Sequence, residues 1–202
     1  SLRYVSLLEA ANSAAKVTSL THSYYRYPAR FGECFVRDAI LNFSKAGDQI
    51  LDPFCGGGTT LVEALASGRV ALGSDLSALA LFVASVKTSV LSDAQLEAVA
   101  RWVDNLGPVG SLLRKHGDSY NVLLSGAPTH YRRLLAALRQ RLLVLPRGET
   151  RRFAACLLLK NAQWALDGKE HVPTPTRFLE RLPLTFRKMR SGMNSFATSC
   201  AN

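Results

Sequence analysis

The chain has 202 residues, of which 48% are hydrophobic and 20% charged, and its formal net charge is +10. This composition can bury a core and therefore excludes an intrinsically disordered chain. Asp75 and Lys87 interrupt the most hydrophobic stretch, so no membrane-spanning helix is predicted. The spacing of the four cysteines is not that of a metal site, and we expect none. We expect a cytoplasmic protein whose cysteines are reduced thiols, at Cys34, Cys55, Cys156 and Cys200.

The N-terminal half of the chain is predicted to alternate helices and strands. Apolar spacing indicates an amphipathic helix over residues 2–17, and Pro28 makes the aromatic-rich segment HSYYRYPARF, residues 22–31, a loop. The pattern then predicts a helix over residues 33–43, a strand over 49–53 and a glycine loop at 56–58. A helix over residues 59–67, a strand over 70–74 and a helix over 75–90 follow. This order contains a repeated β-α-β-α unit, which is typical of an α/β fold.

Helices are predicted to dominate the rest of the chain. Ser92 followed by Gln95 is a capping-box pattern. Apolar spacing predicts three helices, over residues 93–105, 131–144 and 150–166. The pattern weakens after the last three prolines, and residues 191–202 show no strong element. We therefore divide the chain into an α/β region, residues 1–106, and a basic helical region, residues 107–202.

The positive charge is concentrated late in the sequence. Residues 1–129 hold 11 basic and 11 acidic side chains, whereas residues 130–190 hold 14 Lys and Arg against 4 Asp and Glu. An excess made mostly of Arg suits a polyanion such as nucleic acid, because guanidinium groups bind phosphate oxygens in pairs. A solvated basic face, or a surface that meets an acidic partner subunit, is an equal alternative.

The strongest chemical signal is the segment DPFCGGGTT, residues 52–60, between a predicted strand and a predicted helix. Its glycines allow close approach of a ligand, and the helix N-terminus offers N–H groups to an anionic oxygen. Asp75 follows the next strand, where a carboxylate can accept both hydroxyl protons of a ribose. Asp52 and Asp75 therefore predict one cofactor pocket at two adjacent strand ends. The alternatives are a simple tight turn and an Asp75 that only caps the next helix.

Three segments together resemble the S-adenosylmethionine-binding half of DNA amino-methyltransferases, which methylate cytosine N4 or adenine N6. The segments are HSYYRYPARF, DPFCGGGTT and GSDLSALA, in that order. The resemblance implies S-adenosylmethionine as cofactor and a Rossmann-like α/β methyltransferase fold, with an incomplete sheet and a basic helical extension. It implies cofactor contacts by Tyr27, Pro28, Ala29, Phe31, Asp52, Pro53, Phe54, Cys55, Gly56, Gly57, Gly58, Thr59, Thr60, Asp75, Leu76 and Ser77.

One motif of that family is missing from the chain. Such enzymes hold the target amino group at [DSN]PP[YFW], where the aromatic residue stacks on the flipped base. None of the eight prolines here is adjacent to another. We therefore expect no catalytic residue in this chain. A complementary subunit is expected to supply the motif and the sequence readout in an obligate hetero-complex, unless the chain is the N-terminal fragment of a longer enzyme.

The remaining expectations concern partners and structural residues. DNA contacts are expected from the basic helices, at Arg132, Arg133, Arg139, Arg151 and Arg152. A non-catalytic cofactor-binding or scaffold subunit and an RNA amino-methyltransferase are the alternative functions. Tyr24 and Tyr25 are expected to be core or interface aromatics, and His22 and His130 to be hydrogen-bonded or exposed. Residues 117–119, GDS, are expected to form a polar turn.

Overall fold

The computed structural model describes residues 7–11, 19–27, 31–114, 127–168 and 171–201. The chain forms two compact units: Ser1–Val90 with Met189–Asn202, and Leu91–Lys188. The predicted GDS turn, Pro28 and Ala29 lie outside the described residues, as does most of the predicted N-terminal helix, of which residues 7–11 are helical. The functional division at residue 106 stays a prediction.

The first unit contains the β-α-β-α order that the sequence predicts. Its elements are α1 (Glu33–Phe43), β1 (Gln49–Asp52), α2 (Thr59–Ala66), β2 (Val70–Gly73) and α3 (Ala78–Lys87). The two strands pair in parallel, with Leu51 opposite Leu72. A parallel pair needs a crossover connection, which α2 supplies. The predicted α/β class is therefore confirmed for this unit.

The two faces of this small sheet differ in what covers them. Ile50 of β1 and Ala71 of β2 pack against the helices α1 and α2, at Val36, Ile40 and Ala64. Because side chains alternate along a strand, Leu51 and Leu72 point to the opposite face. Their side chains are 67% and 51% exposed. The sheet thus has one packed face and one bare apolar face.

The described part of the second unit is helical. It consists of α4 (Asp93–Asp104), α5 (Val109–Arg114), α6 (Thr129–Arg141), the 3-10 helix Leu142–Val144, α7 (Glu149–Leu166) and the first half of α8 (Pro175–Ala201). The predicted capping box is confirmed, because Ser92 Oγ accepts from the Gln95 N–H at 3.3 Å and Gln95 Oε1 accepts from the Ser92 N–H at 2.8 Å. The three helices predicted here form with small shifts at their ends.

The prediction of no strong element near the C-terminal end is wrong. Helix α8 runs from Pro175 to Ala201 and contains Pro183. Buried apolar side chains recur along it every three or four residues, at Phe178, Leu182, Phe186, Met189, Met193 and Phe196. Burial of this stripe outweighs the cost of an internal proline, which is about 3 kcal/mol. The helix belongs to the second unit up to Lys188 and to the first unit from Met189 onward.

Candidate functional site

A tight loop joins β1 to α2 and is bonded to the end of β2. Gly56 and Gly58 have φ angles of 48° and 77°, a region that favours glycine. The Gly58 N–H donates to the Cys55 carbonyl at 2.7 Å, and the Cys55 N–H donates to the Ser74 carbonyl at 3.0 Å. Pro53 is exposed at the start of the loop. These bonds fix the path of the predicted cofactor loop.

Asp75 is brought onto this loop. Its Oδ2 accepts from the Gly56 N–H at 2.8 Å, and its Oδ1 accepts from the Ser77 N–H at 2.8 Å. These bonds, from Ser77 first and Gly56 second, lower the pKa of Asp75, so the carboxylate is ionised at neutral pH. Helix α3 is capped by Ser77, whose Oγ accepts from the Ala80 N–H at 3.3 Å. Asp75 therefore bonds to the loop and leaves the capping of α3 to Ser77.

Asp52 shares this edge of the sheet with Asp75. It ends β1 opposite Gly73 of β2, so both carboxylates follow neighbouring parallel strands. Asp52 Oδ1 accepts from the Phe54 N–H at 3.1 Å. The Phe54 ring is 80% exposed and the Leu76 side chain is fully exposed. The edge therefore combines two acids with apolar surface, a mixture that suits an apolar ligand bearing a few polar groups.

The aromatic segment contributes one ring to the glycine loop. Residues 19–27, here called the N-terminal strap, contain the 3-10 helix His22–Tyr24 followed by extended backbone. A Cβ added at Gly57 would lie 2.8 Å from Tyr27 Cβ, and one added at Gly56 would lie 3.4 Å from Tyr27 Cδ1. Glycine at position 57 therefore lets Tyr27 lie directly on the loop.

The other predicted contacts lie around this centre. Phe31 is exposed, and its ring centroid is 5.7 Å from that of Phe35 in α1. Thr59 and Thr60 begin α2, whose N-terminus has no side-chain cap. Cys55 is buried, and burial first, then the two nearby carboxylates, raise the pKa of its thiol.

The sequence did not indicate a buried charge network next to the loop. His22 Nε2 lies 2.7 Å from Glu63 Oε1, and the Arg37 guanidinium donates to both Glu63 oxygens at 2.8 and 3.1 Å. Glu33 Oε1 lies 4.0 Å from His22 Nδ1. We call these four residues the buried charge network. The expectation that His22 is hydrogen-bonded is confirmed. The one sequence signal for its partner is that Glu63 is the single charged residue of helix α2.

The arginines predicted to contact DNA lie on two helices of the second unit, α6 and α7, at Arg132, Arg133, Arg139, Arg151 and Arg152. Three of the five are exposed, and Arg132 donates to Thr129 Oγ1 at 3.0 Å. Arg151 instead donates to the carbonyls of Leu143 and Leu145, each at 3.1 Å. Arg151 therefore stabilises the end of the 3-10 helix, and DNA contact by any of the five stays a prediction.

The described ranges contain neither a metal-binding cluster nor a membrane-spanning helix. No group of three or more His, Cys, Asp or Glu side chains in those ranges could hold a metal ion. None of the helices described there is both long enough and apolar enough to cross a bilayer.

The fold and site define an α/β protein with a candidate ligand site at the carboxyl ends of two parallel strands. Residues 8–82 match the family model described as DNA methylase, of the N6/N4 type. The matched segment contains the N-terminal strap, the glycine loop and both acids of the site. Residues 8–82 are thus similar to the DNA amino-methyltransferases, as the sequence predicted.

Individual relatives agree with this family. The Type II methyltransferase M.MvaI of Kocuria varians is 34% identical over 38% of this chain and 18% of its own length. The orphan methyltransferase M.BamHII of Bacillus amyloliquefaciens is 40% identical over 26% of this chain and 20% of its own length. The DNA adenine methyltransferase YhdJ of Escherichia coli is 31% identical over 43% of this chain and 29% of its own length. The chain thus spans less than a third of these relatives, and no solved structure matches it.

Proposed function

We propose that this chain binds S-adenosylmethionine at the loop after β1 and is the cofactor-binding part of a DNA methyltransferase that acts on cytosine N4 or adenine N6. The observation that carries the proposal is the hydrogen bond from the Gly56 N–H to Asp75, because it joins the glycine loop and the acid after β2 in one site. The match of residues 8–82 to the DNA methylase family supports it. A Rossmann-like fold for the assembled enzyme belongs to the same proposal.

The side chains at this edge fit the cofactor chemically. Each carboxylate oxygen has two lone pairs, so Asp75 can accept from ribose hydroxyls while it keeps its bonds to Gly56 and Ser77. The exposed Phe54 and Leu76 offer apolar contact to a purine. The N-terminus of α2 has no side-chain cap, and its N–H groups suit the carboxylate of an amino acid.

In this proposal the chain contributes binding and orientation. S-adenosylmethionine, when bound, supplies an electrophilic methyl group for transfer to an amino nitrogen. Asp75 and the glycine loop would orient the donor, and Tyr27, which lies on Gly56 and Gly57, would keep water from one side of it. The proposal assigns no general acid or base to the residues of this site.

A complementary polypeptide is also part of the proposal. Parallel sheets are almost always covered on both faces. Here Leu51 and Leu72 lie opposite each other on the two strands, and their side chains are exposed on one face of the sheet. The sequence contains no Pro-Pro pair to form a base pocket. We therefore propose that a polypeptide carrying [DSN]PP[YFW] packs on this face and supplies the base pocket and the sequence readout.

Cofactor binding is tested by calorimetry with S-adenosylmethionine on the chain assembled with a polypeptide that carries the missing motif. We expect Asp75→Asn to weaken binding by about tenfold, because the amide replaces one charged acceptor. Asp48→Asn is the matched control, since Asp48 precedes β1 and its carboxylate accepts from the Lys45 N–H at 2.8 Å in an exposed turn. Equal affinity of the two variants would contradict the proposal.

The transfer reaction separates the alternative functions. Labelled methyl transfer to duplex DNA that is lost in Asp75→Asn and kept in Asp48→Asn would support the proposal. Cofactor binding without transfer by any assembled combination would favour the scaffold subunit. Transfer to structured RNA in preference to duplex DNA would favour the RNA methyltransferase.

A further inference from the structure

The buried charge network joins three elements of the first unit. Its central residue is Glu63 of α2, which is 1% exposed. Glu63 meets His22 of the N-terminal strap at 2.7 Å and Arg37 of α1 at 2.8 Å. A buried carboxylate is stable only when its oxygens are well paired, so these contacts fix the relative positions of the strap, α1 and α2.

The electrostatics agree with a strongly paired Glu63. Burial alone would raise the pKa of Glu63, but hydrogen bonds from His22 and Arg37 outweigh burial and lower it. Glu63 is therefore an anion at neutral pH and holds both partners through charge-assisted bonds. Removal of His22 leaves one Glu63 oxygen with a weaker set of donors in a site that water does not reach.

The N-terminal strap makes further contacts before its extended end. Leu20 packs with Val62 of α2 and Phe196 of α8. The Tyr24 hydroxyl donates to the Met189 carbonyl at 2.8 Å. Three residues beyond Tyr24, the chain places Tyr27 on the glycine loop. His22 lies between Leu20 and Tyr24 and bonds the strap to Glu63 of α2, the helix that follows the loop.

We infer that Glu63 and His22 are positioning residues for cofactor binding, because their pairing holds the strap on α2 and thereby keeps Tyr27 on Gly56 and Gly57. The inference rests on the proposed function, since it assigns the strap a part in retaining S-adenosylmethionine. It adds a requirement that lies outside the residues predicted to touch the cofactor. Arg37 has a supporting part, because it donates to both oxygens of the Glu63 carboxylate.

The first measurement is hydrogen exchange on the chain without cofactor. We expect His22→Leu and Glu63→Gln to speed amide exchange at residues 25–27 and 56–58 until little protection remains, because the strap is then in place in only about a tenth of the molecules. Arg37→Met is a milder second variant, since it keeps the His22–Glu63 pair, and we expect a smaller increase at the same amides. Thr185→Val is the matched control, because it removes a buried hydrogen bond to Asn161 in the second unit.

The second measurement is S-adenosylmethionine affinity and kinetics in the assembled enzyme. The apparent Kd rises by the inverse of the fraction of molecules that have the strap in place, so we expect a rise of about tenfold in His22→Leu and Glu63→Gln. KM for the cofactor should rise while kcat at saturation stays unchanged, a split that a general loss of stability does not produce. Thr185→Val should change neither value.

Each outcome decides one claim. Unchanged exchange at the strap in all three network variants would overturn the anchoring role of Glu63. Loss of most of the strap's protection with unchanged cofactor affinity would overturn the positioning role. If the assembled wild type binds no S-adenosylmethionine, the proposed function fails, and the exchange data still decide whether the network holds the strap. A Kd that rises by the inverse of the closed fraction found by exchange would support the inference.

Discussion

Replacement of Lys160 by Met tests how the second unit holds a half-buried ammonium group. Lys160 lies on α7, and burial is the main reason that its pKa falls from 10.5 to about 8. Cys156 opposes this change, whereas the positive charges of Arg181 and Lys188 on α8 add to it. The Arg181 guanidinium carbon lies 4.3 Å from the centroid of the Trp164 ring, so this part of α8 is packed on α7.

The sign of the effect follows from proton binding. Between about pH 8 and pH 10.5 the unfolded chain holds the Lys160 proton more firmly than the folded chain, so the contribution of this residue to the free energy of unfolding rises with pH. The difference between the two pKa values corresponds to about 3 kcal/mol. We therefore expect Lys160→Met to raise the free energy of unfolding by as much as about 3 kcal/mol at pH 7, and we expect this advantage to shrink above pH 8.

Urea unfolding followed by tryptophan fluorescence gives the measurement. Both tryptophans, Trp102 and Trp164, belong to the second unit, so the signal reports on the unit that contains Lys160. Lys45→Met is the control, because Lys45 is an exposed lysine of the first unit, and its curve should follow that of the wild type. Parallel pH curves for Lys160→Met and the wild type from pH 7 to pH 10 would refute the reasoning.

Three further predictions concern the loop and the basic helices. Gly57→Ala should destabilise the first unit by about 1–3 kcal/mol in thermal unfolding followed by circular dichroism, because the new Cβ would lie 2.8 Å from Tyr27 Cβ. Cys55 should react with iodoacetamide at pH 8 more slowly than the half-buried Cys34, because burial raises the pKa of the Cys55 thiol. Arg133→Gln should reduce the salt dependence of DNA binding by about one unit of slope, whereas Arg151→Gln should mainly lower stability.

Each of these predictions has a control in the chain. Gly110→Ala should be tolerated, because a Cβ there meets nothing within 4 Å. In urea the two cysteines should react at similar rates, and a rate difference that persists there would contradict the burial argument. Equal loss of DNA affinity in Arg133→Gln and Arg151→Gln, with no change in stability, would contradict the structural role of Arg151.

Local pattern accounts for the part of the fold that the sequence predicted well. The strand over Gln49–Asp52 and the helix over Glu33–Phe43 form where apolar spacing places them. The glycines of the loop were identifiable because Gly56 and Gly58 need positive φ angles between a strand and a helix. Asp75 was identifiable because parallel strands bring their carboxyl ends to one edge.

Long-range pairing accounts for what the sequence did not reveal. Local sequence pattern around Glu63 does not identify its partners, because His22 and Arg37 lie 41 and 26 residues away. The ordered end of α8 was missed because small polar residues and Pro183 weaken the local helical signal, while its apolar stripe is fixed by packing. The carbonyl contacts of Arg151 were equally invisible, because charge patterning does not show where a guanidinium group points.

The first unit is assembled from two distant parts of the chain, and this has a consequence during synthesis. The Tyr24 hydroxyl and the Met189 carbonyl that it meets are 165 residues apart in sequence. Leu20 likewise needs Phe196, and a Cβ at Gly192 would collide with the Leu20 carbonyl oxygen. On the ribosome, therefore, the sheet and the glycine loop can emerge early. Tyr27 cannot be held in its final position until helix α8 has been translated.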